Sequence, residues 1–217
     1  MTDCTAARRN MVESQLRPNK VTDQQVIAVM GEVPREEFAS PAYRGVAYLD
    51  EDLPVAKGRY LMEPMVLARL LQAAELRPGE VVLEIGCGTG YAAAVLCRLA
   101  GTVVALEADP DLAARATKLM ASHACDTVVV VSGPLAAGYP SQAPYDAILL
   151  SGAVDEVPEA LFDQLAEGGR LLAVVRQRTV GKAKLFRKAG GLVAERELFD
   201  AATPLLPGLA RQPGFVF

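Results

Sequence analysis

Three glycines at alternate positions follow an apolar run near the middle of the chain. The run covers residues 81–85, and Gly86, Gly88 and Gly90 come directly after it, before a stretch with helical spacing. Glycine has no β-carbon, so the backbone can turn tightly there and approach a ligand closely. The free N–H groups at the start of the following helix point at the same place. This arrangement predicts a cradle for a nucleoside-bearing ligand.

The glycine spacing and two acidic residues indicate which nucleoside binds. Dinucleotide sites usually carry G-x-G-x-x-G, whereas this chain carries G-x-G-x-G, with Glu84 two residues before the first glycine. A second apolar run ends at Glu107, about where a ribose-binding carboxylate is expected. We therefore predict that Glu107 accepts hydrogen bonds from both ribose hydroxyls and that the ligand is S-adenosylmethionine. The alternative is a strand, turn and helix that bind no ligand.

Polar residues at the ends of later strands complete the predicted cofactor site. In an open parallel sheet, ligands bind beyond the carboxyl ends of the strands, where the strand order reverses. Ser132 and Gly133 follow the third predicted strand, and Ser151 follows the fourth. We also assign Cys87 to the predicted cofactor site, because it lies within the glycine turn. The two serines are also open to interpretation as turn formers, and Cys87 as a small apolar residue.

Strand and helix patterns alternate after residue 79, which predicts an α/β fold with a doubly wound, Rossmann-like parallel sheet. The segment 182–188 fits either a helix or a strand. The last helix is expected to end at Gly168-Gly169, where the fifth strand starts. Strands are predicted near 81–85, 102–107, 127–131, 145–150, 170–176 and 192–199, and helices near 90–99, 111–121 and 158–166.

The first third of the chain differs from the rest in having no strand pattern. An irregular stretch punctuated by prolines separates the second helical segment from the third, and Asp23 or the threonine before it is expected to cap the second. We predict one domain over residues 1–217, in which 1–78 is an N-terminal helical cap on the substrate side and 79–217 is the cofactor-binding core. Helical spacing occurs over 11–16, 22–30 and 64–74.

The composition restricts the class of protein. The chain has 217 residues, 51% of them hydrophobic, and a formal net charge of −4. This charge argues against a nucleic-acid partner, which usually requires a basic face. No apolar run is long enough to span a bilayer, and the N-terminus lacks a secretory pattern, so we expect a cytoplasmic protein. The cysteines form no C-x-x-C pair and the single histidine, His123, lies at a predicted helix end, so no metal site is predicted.

Six segments recur in the order in which protein-L-isoaspartate O-methyltransferases carry them. The sequence resembles that family over nearly its whole length, to about residue 176. The resemblance implies a class I methyltransferase fold that binds S-adenosylmethionine, with Glu84, Gly86, Gly88 and Gly90 around the methionine part and Glu107 at the ribose. The segments are MVESQL (11–16), VPREEF (33–38), AYLD (47–50), LPV (53–55), VLEIGCGTGY (82–91) and GGRL (168–171).

Two segments depart from the family's pattern. Members of the family usually carry Gly-Gln-Thr-Ile-Ser-Gln-Pro where this chain has residues 58–64, so Tyr60 replaces the threonine and Met62 the serine of the isoaspartyl site. The family's Gly-Asp-Gly, whose aspartate faces the adenine amino group, is Ser132-Gly133-Pro134 here. We therefore expect a weaker adenine contact. Because two hydrogen-bonding groups are lost, we also expect poor methylation of isoaspartyl peptides.

The reaction itself asks little of the protein. Methyl transfer from a sulfonium is an in-line displacement, which alignment and exclusion of water accelerate. A carboxylate acceptor needs no base, whereas a hydroxyl or amine acceptor is helped by one, and Glu63 is the nearest candidate by the family's geometry. Glu63 is equally open to interpretation as a capping or surface carboxylate next to Pro64.

The leading hypothesis is a methyltransferase with either the family activity or a diverged acceptor, which is a protein or a small molecule. One alternative is a non-catalytic module that binds S-adenosylmethionine, suggested by the missing hydroxyls. Another is a nicotinamide-dependent oxidoreductase, which the glycine spacing disfavours. The sequence leaves the oligomeric state open.

Overall fold

Short helices form the N-terminal part of the chain. The computed structural model describes residues 3–177 and 180–211. The carboxylates of Asp3 and Asp23 accept backbone N–H bonds at the starts of the first two helices, which confirms Asp23 as a cap. The elements are α1 (Cys4–Met11), which continues into a π-helical stretch (Val12–Leu16), α2 (Gln24–Glu32), α3 (Arg35–Phe38) and a 3-10 segment (Pro41–Val46).

A small β-hairpin follows, in a stretch that the sequence predicts to be irregular. Strands β1 (Leu53–Ala56) and β2 (Arg59–Leu61) pair antiparallel and form a two-stranded sheet separate from the main one. Strands of four and three residues are too short to show an alternating pattern. The hairpin leads into α4 (Pro64–Ala74), which has the predicted bounds.

Seven strands form the main sheet, in the order β5-β4-β3-β6-β7-β8-β9. Strands β3 to β7 pair in parallel, and β8 and β9 add an antiparallel edge. The ambiguous segment 182–188 lies in β8, so it is a strand. The predicted doubly wound fold is confirmed. The strands are β3 (Val81–Ile85), β4 (Thr102–Glu107), β5 (Val128–Ser132), β6 (Tyr145–Val154), β7 (Leu165–Gln177), β8 (Val180–Ala189) and β9 (Leu192–Ala201).

Both faces of the central strands are buried, because alternate residues of each strand enter different apolar clusters. Val82 packs with α4, α5 (Tyr91–Leu99) and α6 (Pro110–Ser122), whereas its neighbour Leu83 packs on the other face with α7 (Glu159–Asp163). His123 ends α6, as predicted. The chain runs outward from β3 to β5 and returns to β6 on the other side of β3. Ligands bind at such a reversal, beyond the carboxyl ends of β3 and β6.

The double glycine near residue 168 does not end a helix, contrary to prediction. Helix α7 stops at Asp163, and the glycines lie inside β7. Tyr145 of β6 pairs with Leu165, but Ala147 pairs with Arg170, so β7 carries extra residues between these pairs. The glycines therefore belong to a bulge, where Gly168 has a φ of +78°.

Helices of bilayer-spanning length and apolarity do not occur in residues 3–177 or 180–211.

Candidate active site

The glycine loop is tied to the neighbouring strand on one side and faces the hairpin on the other. The N–H groups of Gly86 and Cys87 both donate to the Leu106 carbonyl, at 2.8 and 3.1 Å. Gly88 has a φ of +59°, which a residue with a side chain rarely adopts, and a β-carbon there would meet no atom closer than 3.9 Å. The space beyond Gly88 faces Arg59 and Val55 of the hairpin. The loop therefore has the form of a cradle whose free side is buried beneath the hairpin.

Gly90 has a different neighbour from Gly88. It precedes α5 with a φ of +91°, and a β-carbon there would lie 2.8 Å from Met120 Cε of α6. The structure thus gives this glycine a packing role, because α6 lies directly against the loop. Its predicted contact with the cofactor stays a prediction.

Glu84 and Ser151 come together at the point where the strand order reverses. Ser151 of β6 donates its hydroxyl to Glu84 Oε1 of β3 at 2.6 Å. Glu84 is fully buried, and burial raises the pKa of its carboxyl to about 7. Its Oε2 has no hydrogen-bond partner among the described residues. A buried, unpartnered carboxylate oxygen beside a glycine cradle suits the ammonium group of an amino-acid moiety.

Glu107 is held in place by its surroundings at the end of β4. Its Oε1 accepts bonds from the N–H groups of Ala108 and Asp109, at 2.8 and 3.1 Å. Its Oε2 accepts from the Gly88 N–H at 2.7 Å and from Arg59 Nη2 at 2.6 Å. The carboxylate thus joins the glycine loop to β4, where the sequence predicts the ribose. No sequence pattern placed Arg59 at this site.

A cleft between the hairpin and the glycine loop brings together residues from both predicted parts of the site. Met62 is buried there, and Tyr60 is partly buried. An adjoining cleft extends past Tyr60 and Met62 to Asp52, Arg59 and the segment 203–206. The first cleft is lined in part by Tyr60, Met62, Glu84, Gly86, Cys87 and Ser151.

Ser132 and Gly133 border the site through Glu107. Ser132 is exposed at the end of β5, in register with Glu107 on the next strand, and the Gly133 N–H donates to the Glu107 carbonyl at 3.1 Å. Neighbouring strands lie about 5 Å apart, so the two residues are close to the predicted ribose position. Neither residue lines the two clefts beside the hairpin. Their contact with adenine stays a prediction.

Glu63 lies among other carboxylates at the start of α4. Its backbone N–H donates to Asp52 Oδ1 at 3.0 Å, and its own side chain makes no capping bond. Burial, followed by repulsion from Asp50 and Asp52, raises the pKa of Glu63 to about 7. The side chain of Glu63 therefore does not cap α4, and a raised pKa is compatible with a base near neutral pH, a role that stays a prediction. Asp52 was not predicted, because an acidic run such as residues 50–52 is usually solvated.

Arg35, from the VPREEF segment, packs against the helix that follows the glycine loop. Its guanidinium is fully buried and lies over the Tyr91 ring, 5.0 Å from the centroid. Arg35 Nε donates to the Ala47 carbonyl at 2.8 Å. The VPREEF segment thus packs against Tyr91, the first residue of α5. No sequence pattern identified this contact, because it joins residues far apart in the chain.

The raised pKa of Glu84 makes the stability of the fold depend on pH. The folded pKa of about 7 lies above the ordinary value of 4.5, so the folded chain binds an extra proton between these values. The free energy of unfolding should therefore fall as pH rises from about 4.5 to 7, by on the order of 3 kcal/mol for a fully buried group. Glu84→Gln should flatten this slope in denaturant titrations, whereas Glu159→Gln, at an exposed position, should not. If the free energy of unfolding depended on pH equally in the two variants, the raised pKa of Glu84 would not be the cause of the slope.

The residues of the site fit S-adenosylmethionine. A β-carbon on Gly88 would meet no atom closer than 3.9 Å, Glu84 Oε2 lacks a partner among the described residues, and Glu107 lies one strand away. These are the groups that a cationic amino acid joined to a nucleoside requires. They lie at the reversal of strand order, as expected for such a ligand.

Comparisons with known proteins agree with this site. The family model described as "Protein-L-isoaspartate(D-aspartate) O-methyltransferase (PCMT)" matches residues 7–202. Protein-L-isoaspartate O-methyltransferase 2 of Anaeromyxobacter sp. (strain Fw109-5) is 45% identical over 165 residues, which are 76% of this chain and 68% of that protein. Protein-L-isoaspartate O-methyltransferase of Koribacter versatilis (strain Ellin345) is 37% identical over 207 residues, 95% of this chain and 93% of that one.

Solved structures show the same fold. One protein-L-isoaspartate O-methyltransferase superposes with a TM-score of 0.82 at 29% identity, over 94% of this chain and 67% of that one. A second, from Plasmodium falciparum, in complex with S-adenosyl-L-homocysteine, superposes with a TM-score of 0.79 at 20% identity, over 91% of this chain and 96% of that one. The chain is a member of the protein-L-isoaspartate(D-aspartate) O-methyltransferase family, whose methyl donor is S-adenosylmethionine.

Proposed function

We propose that this chain transfers a methyl group from S-adenosylmethionine to the side-chain carboxylate of isoaspartyl residues in proteins. The observation that carries the proposal is the cleft in which Glu84 and the glycine loop face Tyr60 and Met62 of the hairpin segment. The relatives that match most of the chain are named for the same reaction. Neither a nicotinamide-dependent oxidoreductase nor a non-catalytic binding module gains support from these similarities.

The proposed roles follow from the position of each group. The cofactor supplies an activated methyl group, and a carboxylate acceptor is already a nucleophile. Glu84 would bind the ammonium of the donor and Glu107 its ribose, while the glycine loop allows close approach of the backbone. The hairpin segment covers the cleft and limits the access of water. Alignment and exclusion of water then provide most of the acceleration.

We infer that residues 1–78 act as a cap on the acceptor side of a core formed by residues 79–217. Tyr60 and Met62 belong to the first part and line the cleft opposite Glu84 and Cys87 of the second. A protein acceptor in the cytoplasm fits this proposal better than a small molecule, because the relatives are named for a protein substrate. Incubation with aged protein and with small free carboxylic acids would separate the two classes of acceptor.

Tyr60 and Met62 should limit the rate of isoaspartyl methylation. Met62 is an apolar group with 5% of its surface exposed, at the position where the family places a serine. Restoring the small hydroxyls with Tyr60→Thr and Met62→Ser together should raise kcat/KM for an isoaspartyl peptide about tenfold or more, since an unmet hydrogen bond costs about 1–3 kcal/mol. Transfer of labelled methyl groups at saturating cofactor measures the effect.

Two controls make this experiment specific. Tyr43→Thr, at an exposed tyrosine of the 3-10 segment, should leave the rate unchanged. A peptide of the same sequence with an ordinary aspartyl residue should accept no labelled methyl group from the unmodified chain or from the double variant. Rapid methylation of the isoaspartyl peptide by the unmodified chain, without gain in the double variant, would show that the two substitutions do not affect the acceptor. Cofactor binding without any isoaspartyl methylation would point to a different acceptor.

A further inference from the structure

Arg59 binds the carboxylate that the proposed function reserves for the ribose. Its Nη2 donates to Glu107 Oε2 at 2.6 Å, and both side chains are almost completely buried, with exposures of 4% and 0%. Arg59 Nε has no hydrogen-bond partner in the part of the chain that the structure describes. The guanidinium is therefore incompletely satisfied, and its one ion pair is with a residue of the cofactor site.

The guanidinium also lies over the side of the glycine loop that faces the hairpin. A β-carbon on Gly86 would come within 3.1 Å of Arg59 Nη2, and one on Gly88 within 3.9 Å. Leu206 approaches the same loop, since its Cδ2 would lie 2.7 Å from a β-carbon on Gly86. The space that a ligand needs beside the loop is thus partly filled by side chains of this protein.

The contacts of Glu107 show which of them a ribose can replace. Three of its four hydrogen bonds come from backbone N–H groups of the strand end and the glycine loop, and these are fixed by the fold. Among the described residues, Arg59 is the only one whose side chain bonds to the Glu107 carboxylate. A ribose that approaches Glu107 Oε2 therefore competes with Arg59 for the same oxygen.

We propose that Arg59 is an internal competitor of the cofactor, so that S-adenosylmethionine binds only after the guanidinium leaves Glu107. The inference rests on the proposed function, because it takes Glu107 as the ribose ligand. The guanidinium attracts the carboxylate by its charge as well as by its hydrogen bond, whereas a ribose hydroxyl is a neutral donor, so Arg59 lowers the affinity for the cofactor. Once released, its charge remains beside the cleft to be solvated or paired.

The hairpin is built so that Arg59 can leave Glu107 without disturbing the main sheet. Strands β1 and β2 form their own two-stranded sheet, and Lys57 and Gly58 in the turn between them are exposed. A two-stranded hairpin is marginally stable by itself. Leu53 and Leu61 anchor the ends of the hairpin in the main core, so displacement of Arg59 requires a local movement near the exposed turn, and Glu107 stays fixed by its three backbone bonds.

The affinity of Arg59→Gln for S-adenosylmethionine tests the proposal. Glutamine keeps a hydrogen-bond donor but removes the charge, so the dissociation constant should fall about tenfold relative to the unmodified chain, as expected for loss of a charged competitor. Lys57→Gln removes the same charge from the same hairpin without touching Glu107, and should leave the affinity unchanged. Titration calorimetry with S-adenosylmethionine and S-adenosylhomocysteine on the full chain measures each constant.

Hydrogen exchange of the unmodified chain provides a second test that does not depend on the folding of a variant. Amides of residues 53–61 should exchange faster when S-adenosylhomocysteine is bound, whereas those of the glycine loop should exchange more slowly. Faster exchange in the hairpin and tighter binding by Arg59→Gln support the proposal. Unchanged or weaker binding by Arg59→Gln, or slower exchange in the hairpin, overturns it. If these tests overturn the role of Arg59 but the unmodified chain binds S-adenosylmethionine normally, the proposed function still stands.

Discussion

Gly88→Val is expected to abolish the binding of S-adenosylmethionine and to leave the chain folded. The β-carbon at this position would point into the space between the loop and the hairpin, where nothing lies closer than 3.9 Å. The β-carbon of a valine therefore fits beside the loop, and its methyl groups extend into the space that a ligand needs. We expect the dissociation constant to rise about a hundredfold or more, a change of about 2.7 kcal/mol. Calorimetric titration of the purified variant measures this change.

A matched control separates exclusion of the ligand from strain in the backbone. Gly190, in the turn between β8 and β9, has a φ of +60°, close to the +59° of Gly88, and a β-carbon there would meet no atom within 4 Å. Gly190→Val should carry a similar cost of about 1–2 kcal/mol in the left-handed region but bind the cofactor normally. Loss of the folded circular-dichroism spectrum in Gly88→Val alone would show that Gly88 is needed for the fold and not for the ligand.

Glu107→Ala should weaken cofactor binding and also destabilise the fold. The ribose hydroxyls lose their acceptor, which costs about 1–3 kcal/mol and corresponds to a loss of affinity of about tenfold or more. Arg59 is left buried without its carboxylate, and an unpaired buried charge costs about 3–5 kcal/mol. Calorimetry gives the first effect and denaturant titration the second.

Glu80→Ala is the appropriate control for this variant. Glu80 pairs with the buried Arg170 at 2.6 Å, just before β3 and so at the opposite end of that strand from the glycine loop. Its removal should destabilise the fold through the same kind of unpaired arginine and leave cofactor affinity unchanged. Glu107→Ala with unaltered affinity would mean that the ribose binds elsewhere.

The fold could be predicted in outline because its main features are local. The apolar runs that form β3 and β4 have the predicted bounds, and Gly86, Gly88 and Gly90 mark the turn between β3 and α5. Their spacing follows from strand length and backbone conformation, which a single segment specifies. The hairpin at residues 53–61 was missed because strands of three and four residues carry too little pattern. The bulge at Gly168 was misread because a double glycine suits either a helix end or a strand irregularity.

The sequence by itself determined that Glu84, the glycines and Glu107 lie at neighbouring strand ends, because parallel strands bring their carboxyl ends to one edge. Only the tertiary structure decided what else reaches that edge. Arg59 contacts Glu107 across 48 residues of chain, and Ser151 contacts Glu84 across 67. The raised pKa of Glu63 likewise results from burial among carboxylates. Such contacts depend on how separate elements pack, and no local pattern of residues records that packing.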